Sequence, residues 1–244
     1  MLRSGVPEIA PFRGILFDPA RVDVAKVLAP PYDVIGETER AALIARDPHN
    51  FVRLDLPRDE DGGESDRRYA VAAATLDAWL GDGTLRYDEG RCVYRYHQVF
   101  RLAELGDREV TRKGFIAQVR LHAFADKIIL PHERTLSGPK LDRLNLMKAT
   151  NAHFSQIFTM YRDPASETER VFRRIERAAP DIDVTTDDGV RHVVWRVRDH
   201  EQIGALSRFF GPRPLYIADG HHRYETLLAL RDHYAAAAGG TLPP

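Results

Sequence analysis

One segment of the sequence constrains the fold more than any other, because it predicts a strand that turns directly into a helix. The apolar run Leu215–Ala218 ends in Asp219-Gly220, and an amphipathic helix is predicted from His221 onwards. Histidines and Arg223 stand at the beginning of that helix, where free backbone N–H groups and the positive end of the helix dipole point outward. This arrangement favours an anion, most often a phosphate or a carboxylate.

The same residues also fit an ordinary strand-to-helix turn, in which Asp219 caps the helix and Arg223 is solvated. Three adjacent side chains that can bind phosphate or move protons favour the anion site over this alternative. We therefore predict a phosphate- or nucleotide-binding site made of Asp219, Gly220, His221, His222 and Arg223. His222 is also a candidate catalytic residue.

The rest of the sequence predicts helices and strands that alternate along the chain, with at least one hairpin. Helices are predicted over Glu37–Arg46, Ser65–Leu80 and Lys140–Thr150, from a capping box at Ser166 and Glu169 to Pro180, and after Asp199. Strands are predicted over Phe51–Pro57, Phe154–Tyr161 and Val190–Val197, and a hairpin over Cys92–Leu102 and Val110–Leu121. This mixture predicts an α+β (mixed α/β) fold.

The composition of the sequence bears on which partners the protein can bind and on the cellular compartment in which it works. The formal net charge of −1 over 244 residues gives no global basic field, so nucleic acid is not expected as a partner. The single cysteine, Cys92, excludes an internal disulfide framework and a cysteine-built zinc site. The sequence contains no apolar run of membrane-spanning length and no signal-peptide core. We expect a cytoplasmic protein that does not bind membranes.

A second polar cluster follows two prolines that stiffen the chain. Tyr32-Asp33 comes directly after Pro30-Pro31, so the carboxylate of Asp33 can be held in a fixed pose, as a general base must be. Alternatively, Asp33 caps the helix that is predicted to begin near Gly36. Tyr32 is a candidate contact to the substrate or to phosphate.

Two further polar clusters lie in the middle of the sequence. The first is His132, Glu133, Arg134 and Thr135, a run that is either a functional loop or simply a surface loop. The second is a basic helix face on which Lys140 and Arg143 are three residues apart; it can hold phosphate or a carboxylate, or be a solvated face.

No resident metal is predicted. No second histidine follows four residues after His132, so the metalloprotease motif is missing. His221 and His222 point about 100° apart on a helix and therefore seldom share a metal. A Mg²⁺ that arrives with nucleotide phosphates needs only one or two protein carboxylates.

Three of these motifs together resemble the domain of unknown function 1015 family. They are Ala29–Ile35, His132–Thr135 and Asp219–Glu225, in the order typical of that family. Members usually extend well past this length, so residues 239–244 are expected to be a linker to a further C-terminal part. More distantly, the Asp219–Arg223 turn is similar to the phosphate-binding turn of the ParB/sulfiredoxin superfamily. That resemblance implies a core of residues 1–57 and 211–238 with residues 58–210 inserted.

The superfamily resemblance also implies an activity. Sulfiredoxin chemistry needs a cysteine beside this turn, where the sequence has His221, and DNA-partition proteins carry a DNA-binding domain after the signature helix, where this sequence ends. The branch of free-serine kinases fits better. It implies ATP or ADP with Mg²⁺ at Asp219–Arg223, Asp33 or Glu133 as the base, and Lys140 or Arg143 neutralising the transferred phosphoryl group. The base of those kinases is usually a glutamate, so Asp33 departs from the pattern.

Two functions follow from these expectations. The first is a nucleotide-dependent phosphotransferase acting on a small hydroxylated metabolite, with conversion of free serine to phosphoserine as the leading reaction. The alternative is a non-catalytic, nucleotide-binding regulatory module of the ParB type. An anion such as a sugar phosphate, with no nucleotide, also fits the turn. The expected partners are a nucleotide and a small-molecule substrate, and the sequence is compatible with a homodimer.

Overall fold

The computed structural model describes residues 7–59, 63, 65–133 and 138–239, and it has the mixed α+β architecture that the sequence predicts. The helices are α1 (Val24–Val27), α2 (Glu37–Arg46), α3 (Val52–Asp55), α4 (Arg67–Gly81), α5 (Gly138–Thr150), α6 (Glu167–Phe172), α7 (His200–Phe210) and α8 (His221–Ala237). The strands are β1 (Ile9–Ala10), β2 (Ile15–Phe17), β3 (Leu85–Tyr87), β4 (Val93–Leu102), β5 (Arg108–Ile116), β6 (Gln118–Val119), β7 (Ile129–Leu130), β8 (Phe158–Met160), β9 (Ile182–Thr185), β10 (Arg191–Val197) and β11 (Leu215–Asp219).

The larger sheet has four antiparallel strands in the order β5-β4-β10-β9. The predicted hairpin is confirmed as β4 and β5, and the predicted strand before Asp199 is confirmed as β10. In β10 every second residue is buried, namely Val193, Trp195 and Val197, as expected for a strand with one face against the core. This face packs on α6 and α7 through Phe172 and Leu206.

The smaller sheet positions the predicted anion site. It has three strands in the order β7-β11-β8, in which β11 runs parallel to β7 and antiparallel to β8. Its buried residues Ile129, Leu215 and Ile217 pack on Phe210 of α7 and on Tyr224 of α8. Because β7 and β11 run in the same direction, the segments that follow them lie at the same end of the sheet.

The predicted strand Phe51–Pro57 is wrong, since Val52–Asp55 forms the short helix α3. The reason is Asn50, whose side chain is completely buried. Its amide donates to the carbonyl oxygens of Lys26 (2.8 Å) and Leu28 (3.0 Å), and its carbonyl oxygen accepts the Val52 N–H (3.1 Å). These three bonds fix a turn where the sequence composition favours an extended chain.

The capping box at Ser166 is also wrong. The carboxylate of Asp163 accepts the backbone N–H groups of Glu167 (2.8 Å) and Thr168 (2.9 Å), while Ser166 is in the left-handed conformation with φ 52°. By contrast, Asp199 caps α7 as predicted, accepting the N–H of Glu201 at 2.8 Å.

Several other boundaries differ from the prediction. Helix α6 ends at Phe172 and a 3-10 turn follows at Ile175–Arg177, well before Pro180. The strand predicted over Phe154–Tyr161 is shortened to β8. Gly36 takes the N-cap position of α2, so Asp33 does not cap that helix.

The predicted division into a core and an insertion stays a prediction, although the strand pairs bear on it. Strands β1 and β2 of the predicted core pair with β6 and β3 of the predicted insertion. Cys92 is completely buried in this region. Within the described residues, every helix is too short or too polar to cross a bilayer.

Candidate functional site

The segments after β7 and β11 meet at one end of the smaller sheet. The backbone N–H of His132 lies 3.3 Å from the His221 Nε2 atom, and the His132 Nδ1 atom lies 2.8 Å from the carbonyl oxygen of Ile217. The imidazole rings of His132 and His221 are perpendicular, with 4.5 Å between centroids. Two motifs that are 89 residues apart in sequence are therefore in direct contact.

The turn between β11 and α8 depends on its glycine. Gly220 is the N-cap of α8 and has φ +92°, a conformation that other residues rarely adopt. A Cβ atom at this position would lie 3.0 Å from the guanidinium carbon of Arg223, which folds back over the turn. Arg223 donates to Asp219 Oδ2 (2.5 Å) and to the carbonyl oxygen of Gln156. Because Gly220 takes the N-cap position, Asp219 is not the cap.

A buried ion pair between Arg143 and Asp55 links helix α5 to helix α3. The side chains of Arg143 and Asp55 are 5% and 6% exposed, and Arg143 Nη1 donates to both the carbonyl oxygen (2.6 Å) and Oδ1 (3.1 Å) of Asp55. The Nε and Nη2 atoms of Arg143 donate to Asp142, and Ser155 donates to Asp55 Oδ2 at 3.1 Å. The Arg143 guanidinium also stacks on the ring of Tyr32, 3.9 Å from its centroid, and so supports the double-proline loop.

Two groups beside Arg143, the Tyr32 phenol and the Asp55 carboxyl, have shifted pKa values. Burial raises the pKa of the Tyr32 phenol and of the Asp55 carboxyl, and Arg143 opposes both increases. Arg223 also lowers both pKa values, whereas Asp33 raises them. The charges of Asp33 and Arg223 therefore both act on Tyr32 and Asp55.

The cleft itself lies between α5, the segment after it, and α8. Asp55, Arg143 and Arg223 line its polar side. Its other walls are formed by Leu146, Met147, His153, Phe154 and Ser155. The cleft has a volume of about 20 Å³, which is room for a water molecule, so a metabolite could bind only at its mouth.

The structure brings most of the residues predicted for the site to this end of the molecule. Arg143 and Arg223 line the cleft, and Tyr32, which precedes Asp33, stacks on Arg143. His132, Glu133 and His221 form a separate group. Arg134 and Thr135 lie outside the described residues.

Three other residues predicted for the site, Lys140, His222 and Arg143, make contacts within the protein. Lys140 forms an ion pair with Glu225 and so links α5 to α8. The backbone carbonyl of His222 accepts the Thr226 hydroxyl at 2.7 Å, within the first turns of α8. Arg143 is buried with its Nε and both terminal nitrogens hydrogen-bonded, so its role as a ligand for phosphate or substrate stays a prediction.

The sequence reasoning missed Asp55 and Ser155. Both line the cleft, but each falls within a predicted strand, Phe51–Pro57 for Asp55 and Phe154–Tyr161 for Ser155, and neither was predicted as a site residue. The one available signal was a carboxylate between two leucines, Leu54 and Leu56, a position where burial without a partner is costly. That signal indicates a buried partner without identifying it.

Burial also affects the histidine at the beginning of α8. The His221 side chain is 2% exposed, and burial lowers the pKa of its imidazole below 6.5, with the Glu133 carboxylate acting in the opposite direction. The His221 ring is therefore neutral at physiological pH. As a neutral ring it can exchange a proton or provide a lone pair.

Comparisons with known proteins give one match. No curated protein and no solved structure matches the sequence, so the resemblance to the ParB/sulfiredoxin superfamily stays a prediction. Residues 9–243 match the family model described as "Protein of unknown function (DUF1015)". Since the match covers nearly the whole sequence, the chain belongs to this family.

Proposed function

We propose that the protein is a nucleotide-dependent phosphotransferase whose acceptor is a small hydroxylated metabolite, with free serine as the first candidate. The observation that carries this proposal is the turn at Gly220, where the 17-residue helix α8 begins and the Arg223 guanidinium lies against the glycine. Phosphoryl transfer needs a base for the acceptor hydroxyl and positive charge for the phosphoryl group within one site. In this proposal Arg223 supplies the positive charge and Asp33, on the double-proline loop, supplies the base.

The residues at the turn suit the phosphate groups of a nucleotide. The N-terminus of the 17-residue helix α8 supplies backbone N–H groups, and the Arg223 guanidinium, which lies against Gly220 and is paired with Asp219, supplies positive charge. ATP or ADP with Mg²⁺ provides the transferable phosphoryl group when bound. Asp219 is an exposed carboxylate that can hold the Mg²⁺, which needs only one or two such ligands.

The remaining roles fall to groups around the cleft. Asp33 accepts the proton of the acceptor hydroxyl, with Glu133, whose Oε1 atom is 3.6 Å from His221 Nδ1, as the second candidate base. His222 and Lys140 are further candidates for contacts to phosphate. Arg143 holds Tyr32 against the cleft, so it positions the loop that carries Asp33.

The first experiment is a thermal-shift screen of ATP, ADP, CTP and inorganic phosphate with Mg²⁺ on the wild type, Arg223→Ala and His222→Ala. A ligand at about a hundred times its Kd stabilises the folded state by roughly 2.7 kcal/mol. We expect a shift with nucleotide that both variants lose. The control is Arg191→Ala, which removes an exposed ion pair with Asp183 on the larger sheet and should keep the shift.

Turnover separates the kinase from the regulatory module. We expect phosphoserine from serine and the nucleotide that gives the largest shift, and a loss of at least about 100-fold in Asp33→Asn, the scale of general-base catalysis. A nucleotide shift without product supports the non-catalytic nucleotide-binding module. A shift with inorganic phosphate alone indicates an anion site without nucleotide. The absence of any shift in folded protein refutes the proposal.

A further inference from the structure

A second group of polar side chains lies at the same end of the smaller sheet, and only Glu133, the second candidate base, has a part in the main proposal. It consists of His132, Glu133 and His221, each of which offers one potential ligand atom within 4.8 Å of the others. The Glu133 Oε1 atom lies 3.3 Å from His132 Nε2 and 3.6 Å from His221 Nδ1. In the described part of the chain, no other group of three such residues is this compact.

The orientation of His132 is fixed by a bond on the far side of its ring. Its Nδ1–H donates to the carbonyl oxygen of Ile217 at 2.8 Å, so the lone pair of its Nε2 atom points toward Glu133. A lone pair and a carboxylate oxygen that face each other at 3.3 Å repel unless a positive charge lies between them. A backbone carbonyl behind the ring is also the usual support of a histidine that binds a metal.

We propose that His132 Nε2, Glu133 Oε1 and His221 Nδ1 bind a divalent transition metal of the Zn²⁺ type. Ligands about 2.1 Å from a tetrahedral zinc lie roughly 3.4 Å from one another. The two distances to Glu133, 3.3 and 3.6 Å, bracket this separation. Two imidazoles and one carboxylate are a donor set that suits zinc and its neighbours and disfavours Mg²⁺, which prefers oxygen ligands.

Two features oppose the cation and limit its affinity. The Nε2 atom of His221 accepts the His132 N–H at 3.3 Å, and binding through Nδ1 moves the ring proton onto Nε2, so this bond is lost. The positive end of the α8 dipole also opposes a cation, while the charge of Glu133 offsets it. We therefore expect an exchangeable metal rather than a permanent structural one.

The proposed site is separate from the Mg²⁺ that accompanies a nucleotide. Three protein ligands leave one tetrahedral position for water or for an oxygen of an anion, which is the arrangement of catalytic zinc sites. The metal set that the sequence disfavours is His132, His221 and His222, in which the two adjacent histidines point apart. The ligand that completes the set is Glu133, which the pairing of β7 with β11 brings to the same end of the sheet.

The test uses the full chain without an affinity tag, treated with a chelator and titrated with Zn²⁺ by calorimetry and with Co²⁺ by visible absorption. No nucleotide is present, so the result does not depend on the proposed phosphotransferase activity. We expect one equivalent of metal and the intense absorption of four-coordinate Co²⁺. His132→Ala and Glu133→Gln should each weaken binding at least tenfold, and excess Mg²⁺ should not displace the metal. Both side chains are more than half exposed, so both variants should fold.

The matched control is His49→Ala. His49 also faces a carboxylate, with 3.2 Å between its Nδ1 atom and Asp47 Oδ1, but it is not part of a group of three ligands. This variant should bind Zn²⁺ as the wild type does. Equal affinity in wild type, His132→Ala and Glu133→Gln overturns the proposal, and so does the absence of binding by the wild type. If the wild type binds no metal, the positive charge between His132 Nε2 and the Glu133 carboxylate is a proton.

Discussion

Replacing Arg143 by methionine tests the buried ion pair that links α5 to the double-proline loop. The substitution removes the bonds from Arg143 to Asp55 and Asp142 and leaves the Asp55 carboxylate 6% exposed without its cation. Removal of one partner from a buried pair costs about 3–5 kcal/mol. For a protein of this size that corresponds to a decrease in Tm of roughly 6–20 °C.

The same substitution has a pH dependence whose sign is fixed by Asp55. Burial raises the pKa of Asp55 and Arg143 lowers it, so removing Arg143 raises that pKa further. Asp55 then takes up a proton more readily, which relieves the uncompensated charge in acid. We expect the loss of stability in Arg143→Met to be smaller at about pH 5 than at about pH 8.

Urea denaturation of both proteins at the two pH values measures this difference. Arg191→Met serves as the control, since its ion pair with Asp183 is exposed and its removal should change the stability little. A loss below about 1 kcal/mol in Arg143→Met refutes the reasoning, because that is the scale of an exposed pair. A large loss that does not change with pH would mean that the cost comes from packing and not from the charge on Asp55.

Three further predictions follow from single residues. Gly220→Ala should lower the free energy of unfolding by about 1–2 kcal/mol, because φ is +92° at this position. The added Cβ should also displace Arg223 and so weaken any thermal shift that phosphate induces. An unchanged Tm and an unchanged shift would contradict this prediction. Asn50→Ala should cost roughly 2–4 kcal/mol in chemical denaturation, because three buried hydrogen bonds are lost, and a cost below about 1 kcal/mol would mean that α3 does not depend on that turn. Burial raises the pKa of Asp55 above 3.8 in the folded state, so the folded state loses stability as Asp55 ionises. The stability of the wild type relative to Asp55→Asn should therefore fall as pH rises from 3.8 to the pKa in the folded state. A rise in relative stability over this pH range would contradict the prediction.

The elements that the sequence predicts well are those whose signals are local. The hairpin of β4 and β5, the helix α2 and the cap of α7 at Asp199 all depend on residues within a few positions of one another. Helix α3 was missed because it is held by Asn50, whose partners Lys26 and Leu28 lie more than 20 residues away. A run of four residues with valine and leucine gives no periodicity strong enough to reveal such a bond.

Some residues of the candidate site can likewise be predicted from local sequence signals, and others cannot. The turn at Asp219–Arg223 is evident from the sequence, since a strand, a glycine and a helix start occur together. The participation of Asp55 was not evident, because it follows from burial against Arg143, 88 residues further along the chain. The contact between Glu133 and His221 depends on the parallel pairing of β7, a strand of two residues that is too short to be predicted.

The strand order β7-β11-β8 has a consequence for how the chain folds. Strand β11 lies between its two neighbours in space, although it follows both of them in sequence, and β8 ends at Met160 while β11 begins at Leu215. Before β11 pairs with them, β7 and β8 have unpaired backbone groups, and Ile129 lacks its packing against Leu215 and Ile217. Such exposed edges promote association between partly folded chains. Refolding should therefore be slow, and its yield should fall as protein concentration rises.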